Sequence, residues 1–175
     1  MPQATTVPVT LTRGAFRAIL QRGVGIPLSG EVTVRVFLQE ILGLDPEYVE
    51  EKLQTVFLDG QPVDDFDGPA VRPGAVLALS GAMPGLAGAT MRRGGYYSRM
   101  REGITHGRID TPEEAGESRF VVVKLFNRPL EDLADAVAAR SLLVPADALD
   151  RPDSKDRPRS ELVDGSWVLS AVTLV

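Results

Sequence analysis

In the first 43 residues, apolar side chains recur first at every second position and later at every third or fourth position. This pattern predicts a strand followed by a helix. Residues 7–12 alternate apolar and polar side chains, as a strand with one buried face does. Glycines and prolines between residues 23 and 30 then break any regular element, with a short helical turn around Phe16 before them. Thr33 is an N-cap candidate and Gly43 a C-terminal cap for a helix between them. Its apolar stripe at helical spacing consists of Val34, Phe37, Leu38, Ile41 and Leu42.

The following residues predict a second helix and two strands that are joined to their neighbours by tight turns. Asp45-Pro46 is typical of a helix start, and Glu50 is expected to face solvent on this helix. An apolar strand ends at the hairpin turn Asp59-Gly60, and a buried strand over residues 75–79 follows the turn Arg72-Pro73-Gly74. The spacing of these elements favours an α+β protein.

The second half of the chain predicts a strand, a helix and a strand after a glycine-rich stretch. Residues 81–95 carry five glycines among Ala, Met and Leu, a composition too apolar for a solvated linker and too rich in glycine for a stable helix. We expect this stretch to cross the core close to other backbone. Residues 120–126 form an apolar strand, residues 129–140 show helical spacing, and residues 167–175 end the chain as a strand.

The overall composition is that of an ordinary folded protein. Of the 175 residues, 43% are hydrophobic and 25% are charged. The absence of Cys excludes disulfides, thiol nucleophiles and Cys-ligated metal sites. No apolar run approaches the ~18 residues that a membrane helix needs, and residues 1–6 lack the pattern of a secretory signal. We therefore expect a cytoplasmic protein that does not bind membranes.

Residue constellations that support catalysis are sparse. His106 is the only imidazole, and no nucleophile elbow, Walker loop or zinc-protease motif occurs. The carboxylates of Asp64, Asp65 and Asp67 lack the ligand spacing of a calcium loop, so a solvated acidic turn is favoured over a cation site. We expect no enzymatic activity, no cofactor and no metal ion.

Charge is unevenly distributed along the chain. The net charge of −5 divides into −4 for residues 1–90, +4 for residues 91–109 and −5 for the remainder. The arginines of this basic island are Arg92, Arg93, Arg99, Arg101 and Arg108. Arginine and aromatic side chains also interleave in sites for single-stranded nucleic acid, but the acidic flanks would repel a polyanion.

We therefore expect the island to contact carboxylates rather than nucleic acid. Arginine pairs with carboxylates in a bidentate geometry. The partner would be an acidic surface of another protein, this chain's own acidic C-terminal half, or a second copy. The candidate binding residues are Arg92, Arg93, Tyr96, Tyr97, Arg99 and Arg101.

The turn and strand motifs of the first half resemble the β-grasp, or ubiquitin-like, fold. The nearest likeness is to the small sulfur carriers of molybdopterin and thiazole synthesis. The motifs that carry it are Thr33-Val34-Arg35 leading into Phe37-Leu38, Leu58-Asp59-Gly60-Gln61-Pro62-Val63, and the run from Val71 to Leu79. The resemblance implies a β-grasp-like mixed sheet with a packed helix over residues 1–90. Residues 91–118 would connect it to a C-terminal strand-helix-strand extension, residues 119–175, packed on the first part.

Three functions follow from this organisation. The favoured one is a non-enzymatic β-grasp module that binds another protein. Sulfur carriers act through a free C-terminal diglycine, so the carrier alternative requires cleavage after Gly94-Gly95, whereas adjacent glycines also serve simply to form a turn. The third alternative is a small-anion or nucleotide site in the segment 81–101, in which backbone amides of residues 81–88 cradle the anion and Arg92 and Arg93 supply positive charge.

Overall fold

The computed structural model describes residues 6–101, 119–149, 162–163 and 167–175. Within these ranges the chain is an α+β protein built on a large mixed sheet, as the sequence predicts. The strands are β1 Val7–Leu11, β2 Val24–Pro27, β3 Val32–Thr33, β4 Thr55–Leu58, β5 Gln61–Pro62, β6 Ala70–Val71, β7 Val76–Ser80, β8 Phe120–Phe126, β9 Leu142–Pro145, β10 Leu162–Val163 and β11 Trp167–Leu174.

Strands from both halves of the chain alternate in this sheet. The order is β1-β11-β9-β2-β8-β7-β4-β5, with β10 beside β11, and β3 and β6 form a separate small ladder. β8 pairs antiparallel with β2 and parallel with β7. β8 is therefore the strand that joins β2 to β7 and β4, and the elements of residues 1–90 do not form one continuous sheet by themselves.

Three of the described helices begin at a residue whose side chain caps the first turn, namely Thr12, Thr33 and Asp45. They are α1 Arg13–Arg22, α2 Val34–Val36 continued by a π-helical turn at Phe37–Ile41, α3 Pro46–Glu51, α4 Gly85–Met91 and α5 Asn127–Ala138, with 3-10 helices at Tyr96–Arg101 and Ala146–Leu149. The hydroxyl of Thr33 accepts a hydrogen bond from the Val36 amide at 3.3 Å, and Gly43 has φ +62°. Both predicted caps of the α2 region are confirmed.

The main hydrophobic core lies between one face of the sheet and the helices. The predicted stripe of the α2 region supplies several of its fully buried members, including Val34, Phe37 and Leu38. From the sheet, Val121, Val123 and Leu125 of β8 point into this core. α1 packs against α5 and β8, so one layer of helices covers this face.

Three segments differ from the sequence predictions. β2 forms where glycine and proline predicted irregular chain, because Gly25 leaves room for the Phe120 ring: a Cβ at Gly25 would lie 2.7 Å from Phe120 Cδ2. β9 is a short apolar run that the sequence analysis did not identify. α4 forms within the glycine-rich stretch and lies on the surface, with Leu86 70% exposed, rather than crossing the core.

Both edges of the large sheet contain proline. The edge strand β1 pairs on one side with β11 and includes Pro8, and the opposite edge strand β5 ends at Pro62. Within the described ranges, no helix is long and apolar enough to cross a membrane.

Candidate protein-binding surface

The described part of the basic island, residues 91–101, lies in a surface segment, residues 82–101, which we call the Gly/Arg segment. It consists of α4, a turn at residues 92–95 and the 3-10 helix Tyr96–Arg101. Gly94 has φ +63°, and the Gly95 amide donates a hydrogen bond to the Arg92 carbonyl at 3.2 Å. The diglycine thus forms a turn. Gly94 has a left-handed backbone conformation there, which residues with a side chain rarely adopt.

Gly88 permits the close packing of α4 on the chain that precedes it. A Cβ at Gly88 would lie 2.1 Å from the carbonyl oxygen of Met83, a distance that no side chain tolerates. Gly88 is the buried residue of α4, whereas its neighbours are exposed or half-buried. Glycine at position 88 therefore allows α4 to pack closely against the preceding chain within this surface segment.

Arg93 fastens the turn to the main body of the protein. Its guanidinium donates to the Glu50 carboxylate and to the Glu50 backbone carbonyl, both at 2.9 Å. The guanidinium carbon lies 4.2 Å from the centroid of the Phe66 ring, within cation–π distance. The Arg93 amide donates to the Gln54 carbonyl at 2.7 Å. These contacts account for the low exposure of this side chain, 18%.

Glu50 connects Arg93 to a second arginine. Its other carboxylate oxygen accepts from Arg35 at 2.6 Å, and Arg35 donates to Asp67 at 2.7 Å. The hydrogen bonds from Arg35 and then Arg93 lower the pKa of Glu50, and the hydrogen bond from Arg35 lowers that of Asp67. Glu50 is therefore exposed, as its helix position predicts, and is also ion-paired to two arginines.

Arg101 fastens the far end of the segment and is nearly inaccessible, with 3% of the residue exposed. Its Nε donates to the Thr90 carbonyl and its Nη2 donates to the Asp64 carboxylate, both at 2.7 Å. A buried guanidinium is tolerated only when hydrogen bonds and an opposite charge replace its hydration. Arg101 thus ties α4, the 3-10 helix and the loop that carries Asp64 together.

The predicted binding residues divide into two groups. Arg93 and Arg101 point inward, and the described residues that pair with them, Glu50 and Asp64, come from the first half of the chain. The outward group consists of Arg92, Tyr96, Tyr97 and Arg99, all exposed. In the described part of the chain, Arg92 and Arg99 make no side-chain ion pair. Arg108 and His106 lie outside the described residues.

Two apolar residues join the outward group although the sequence analysis did not select them. Leu86 is 70% and Met100 73% exposed, beside Tyr96 at 89%. The Tyr96 and Tyr97 rings meet edge to face, with centroids 5.2 Å apart. A groove of about 670 Å³ is lined by residues 94–100. The outward side of the segment thus combines exposed apolar side chains with two exposed arginines that form no ion pair with the described residues.

The acidic residues near the segment hold protein groups. Asp64 accepts from Arg101, Asp67 from Arg35, and Asp65 from the Asp67 amide at 2.9 Å. Among the described residues, no group of three or more His, Cys, Asp or Glu side chains is placed to hold a metal ion. Asp64 and Asp67 are therefore ion-paired within the protein, and Asp65 is hydrogen-bonded to a backbone amide.

No family model, curated protein or solved structure matches this chain.

Replacing Glu50 with Gln is expected to change how stability depends on pH. A carboxylate whose pKa is lowered in the folded state stabilises the protein above its unfolded-state pKa, near 4.5, and this contribution is lost as pH falls through the folded-state value. Glu50→Gln should therefore lower the free energy of unfolding at neutral pH and flatten its decrease below about pH 4.5. Urea unfolding across this range, followed by Trp167 fluorescence, measures the effect. Glu51→Gln is the matched control, and parallel profiles for Glu50→Gln and the parent would refute the expectation.

Proposed function

We propose that this protein is a non-enzymatic interaction module that binds an acidic surface of another protein through the outward side of the Gly/Arg segment. The observation that carries the proposal is the division of the arginines. Arg93 and Arg101 are occupied in holding the segment, whereas Arg92 and Arg99 are exposed and make no ion pair within the described residues. The segment is thus a fixed support that presents unpaired cations.

The exposed side chains suit a protein partner. Arginine, tyrosine and methionine are enriched in protein interfaces, and buried tyrosine and arginine contribute most of the binding energy there. Tyr96 and Met100 are exposed and line the same groove as Arg99. A partner with carboxylates around an apolar patch would satisfy both features.

We also propose a β-grasp-like arrangement for the part of the sheet that carries this surface. It is supported by the order of the α2 region, the β4–β5 hairpin and β7 along the chain, with Asp59 and Gly60 at φ 50° and 80° in the hairpin turn. In this proposal β8, from the second half, completes the sheet beside β7.

The two alternative functions receive less support from the same contacts. A processed carrier needs Gly95 as a free C-terminus, yet Arg101, six residues further on, is buried against Asp64 and holds the segment in place. A chain from native cells that ends at Gly95 would favour the carrier. For the anion alternative, the Arg93 guanidinium already binds Glu50, and α4 has only seven residues.

Site-specific photo-cross-linking tests the proposed function. A photoreactive amino acid at position 96 of the full chain, expressed in native cells, should cross-link to a protein. The double change Arg92→Glu with Arg99→Glu should reduce this product at least tenfold, because two carboxylate pairs are lost and become repulsive. Arg17→Glu, an exposed reversal on α1, should leave it unchanged.

Two outcomes would overturn the proposed function. A cross-linked product that nuclease removes would assign the surface to nucleic acid, for which negligible affinity is expected at about 0.15 M salt. A protein product that persists at full yield after both reversals would show that the arginines do not select the partner.

A further inference from the structure

A second groove lies on the loop that helps to hold the Gly/Arg segment in place. The groove has a volume of about 410 Å³ and is formed by the end of β4, by β5 and by the loop of residues 63–69. We call it the loop groove. Its lining includes four apolar side chains and two exposed carboxylates, namely Leu58, Pro62, Val63 and Pro69 with Asp64 and Asp65. The loop groove therefore combines apolar and negatively charged groups.

Asp65 gives the loop groove a negative charge that the described residues leave unpaired. The neighbouring carboxylates are ion-paired, Asp64 with Arg101 and Asp67 with Arg35. Asp65 accepts a hydrogen bond from the Asp67 amide, but it forms no ion pair within the described ranges. Its exposed carboxylate beside apolar atoms favours a partner that carries a cation among apolar side chains.

The outward side of the Gly/Arg segment has this complementary chemistry. Arg92 and Arg99 are exposed and make no ion pair with the described residues. Five large hydrophobic side chains are exposed in the described part of the chain, and four of them belong to this segment: Leu86, Tyr96, Tyr97 and Met100. Exposed apolar side chains that cluster in one patch mark a surface that binds a partner. The segment and the loop groove thus match each other in charge and in apolar content.

The two surfaces are adjacent on the same molecule. Asp64 of the loop groove accepts a hydrogen bond at 2.7 Å from Arg101, which ends the Gly/Arg segment. Phe66 of the same loop lies against the segment, with its ring centroid 4.2 Å from the guanidinium carbon of Arg93. Complementary surfaces that lie side by side meet twice about a twofold axis, because each copy offers its segment to the groove of the other. Such an arrangement closes at two copies.

Other ways of joining two copies are less favourable. A contact between the two segments alone would bring the arginines of both copies together without carboxylates. Pairing of edge strands is disfavoured because both edge strands of the large sheet contain proline. The contact of segment with loop groove satisfies the exposed charges of both surfaces.

We propose that the acidic surface bound by the Gly/Arg segment is the loop groove of a second copy of the chain, so that the protein is a twofold dimer. The inference rests on the proposed function, since it names the partner of the same surface. Tyr96 and Met100 supply apolar side chains to the groove. Arg92 and Arg99 pair with Asp65 of the other copy.

Sedimentation of the purified full-length chain and of two charge-reversed variants tests the proposal. The parent should sediment as a dimer. Asp65→Arg should raise the dissociation constant of the dimer at least tenfold, and so should the double change Arg92→Glu with Arg99→Glu, because like charges then face each other. An equimolar mixture of the two variants should recover a dimer. In the mixed dimer one contact is that of the parent, and the other joins opposite charges in exchanged order.

Matched variants control for unrelated effects of charge and for folding. Glu131→Arg on α5 and Arg17→Glu on α1 reverse other exposed charges and should leave the dimer unchanged. Urea unfolding curves show whether each variant is folded, and an unfolded variant would not recover a dimer on mixing. Asp65→Asn keeps an acceptor for the Asp67 amide and should also weaken the dimer, so it replaces Asp65→Arg if that variant fails to fold.

The photo-cross-link at position 96 in native cells separates this inference from the proposed function. A product that contains two copies of the chain supports both. A product with a different protein, together with a purified parent that is monomeric at about 0.1 mM, overturns the dimer and leaves the proposed function standing. A dimer that persists at full affinity in both reversed variants also overturns the inference, since another surface would then join the copies. A monomeric parent without any protein product overturns both.

Discussion

Removal of residues 119–175 is expected to abolish cooperative folding of the remaining chain. The deletion removes β8, which is the only described strand that pairs with both β2 and β7. It also removes α5, whose Leu133 and Val137 are buried in the main core. The remaining strands would lie in separate groups with uncovered apolar faces, a situation that leads to aggregation.

The truncated chain should show no cooperative urea transition and should elute as aggregates in size-exclusion chromatography. Mixing it with a separate fragment of residues 119–175 during refolding is the control, because both pieces together contain every strand and should recover a cooperative transition. A truncated chain that is monomeric and unfolds cooperatively would show that the two halves fold independently.

Replacement of Arg101 with Met is expected to release the Gly/Arg segment from the body of the protein. The change keeps much of the apolar stem but removes the hydrogen bonds to Asp64 and Thr90. Loss of a hydrogen bond that involves a charged group costs about 2 kcal/mol, which corresponds to roughly 30-fold more of the open state. The expected effect is local, since the strands of the sheet keep their contacts.

Limited digestion with chymotrypsin measures this opening, because cleavage at Tyr96 and Tyr97 depends on the population of the open segment. Arg101→Met should be cleaved about 30-fold faster than the parent. Arg99→Met is the matched control: it removes an exposed arginine from the same helix and should leave the rate unchanged. Equal rates for the two variants would refute an anchoring role for Arg101.

Local patterns predicted the elements that depend on neighbouring residues. The stripe from Val34 to Leu42 identifies the α2 region because every residue of that face meets the same core. Asp59-Gly60 identifies its hairpin because few other residues adopt two successive positive φ values. β2 was missed because Gly25 is required by the Phe120 ring, a contact between residues 95 positions apart. The position of β8 within the sheet likewise depends on residues far away along the chain, because β8 pairs with β2 and β7.

Composition predicts where the candidate surface lies, but it does not predict which of its arginines point inward and which point outward. Charge and aromatic content selected residues 92–101, and nothing in that stretch separates Arg93 and Arg101 from Arg92 and Arg99. The separation depends on Glu50 and Asp64, which are 43 and 37 residues away along the chain. The helical pattern of α3 predicts that Glu50 is exposed but does not predict its ion pairs, because its partners Arg35 and Arg93 come from other elements.

The prolines at the two sheet edges affect whether copies of this protein associate by pairing their edge strands at high concentration. Leu11 accepts a hydrogen bond from the Val175 amide, so its carbonyl faces β11, and the nitrogen of Pro8, three residues earlier, faces outward. Pro8 therefore removes one outward donor from β1, and Pro62 removes a donor from β5 at the other rim. Stacking of molecules strand to strand into fibrils is therefore disfavoured at both edges of the sheet. Concentrated solutions should accordingly remain free of ordered fibrous aggregates even though most of the strands are strongly hydrophobic.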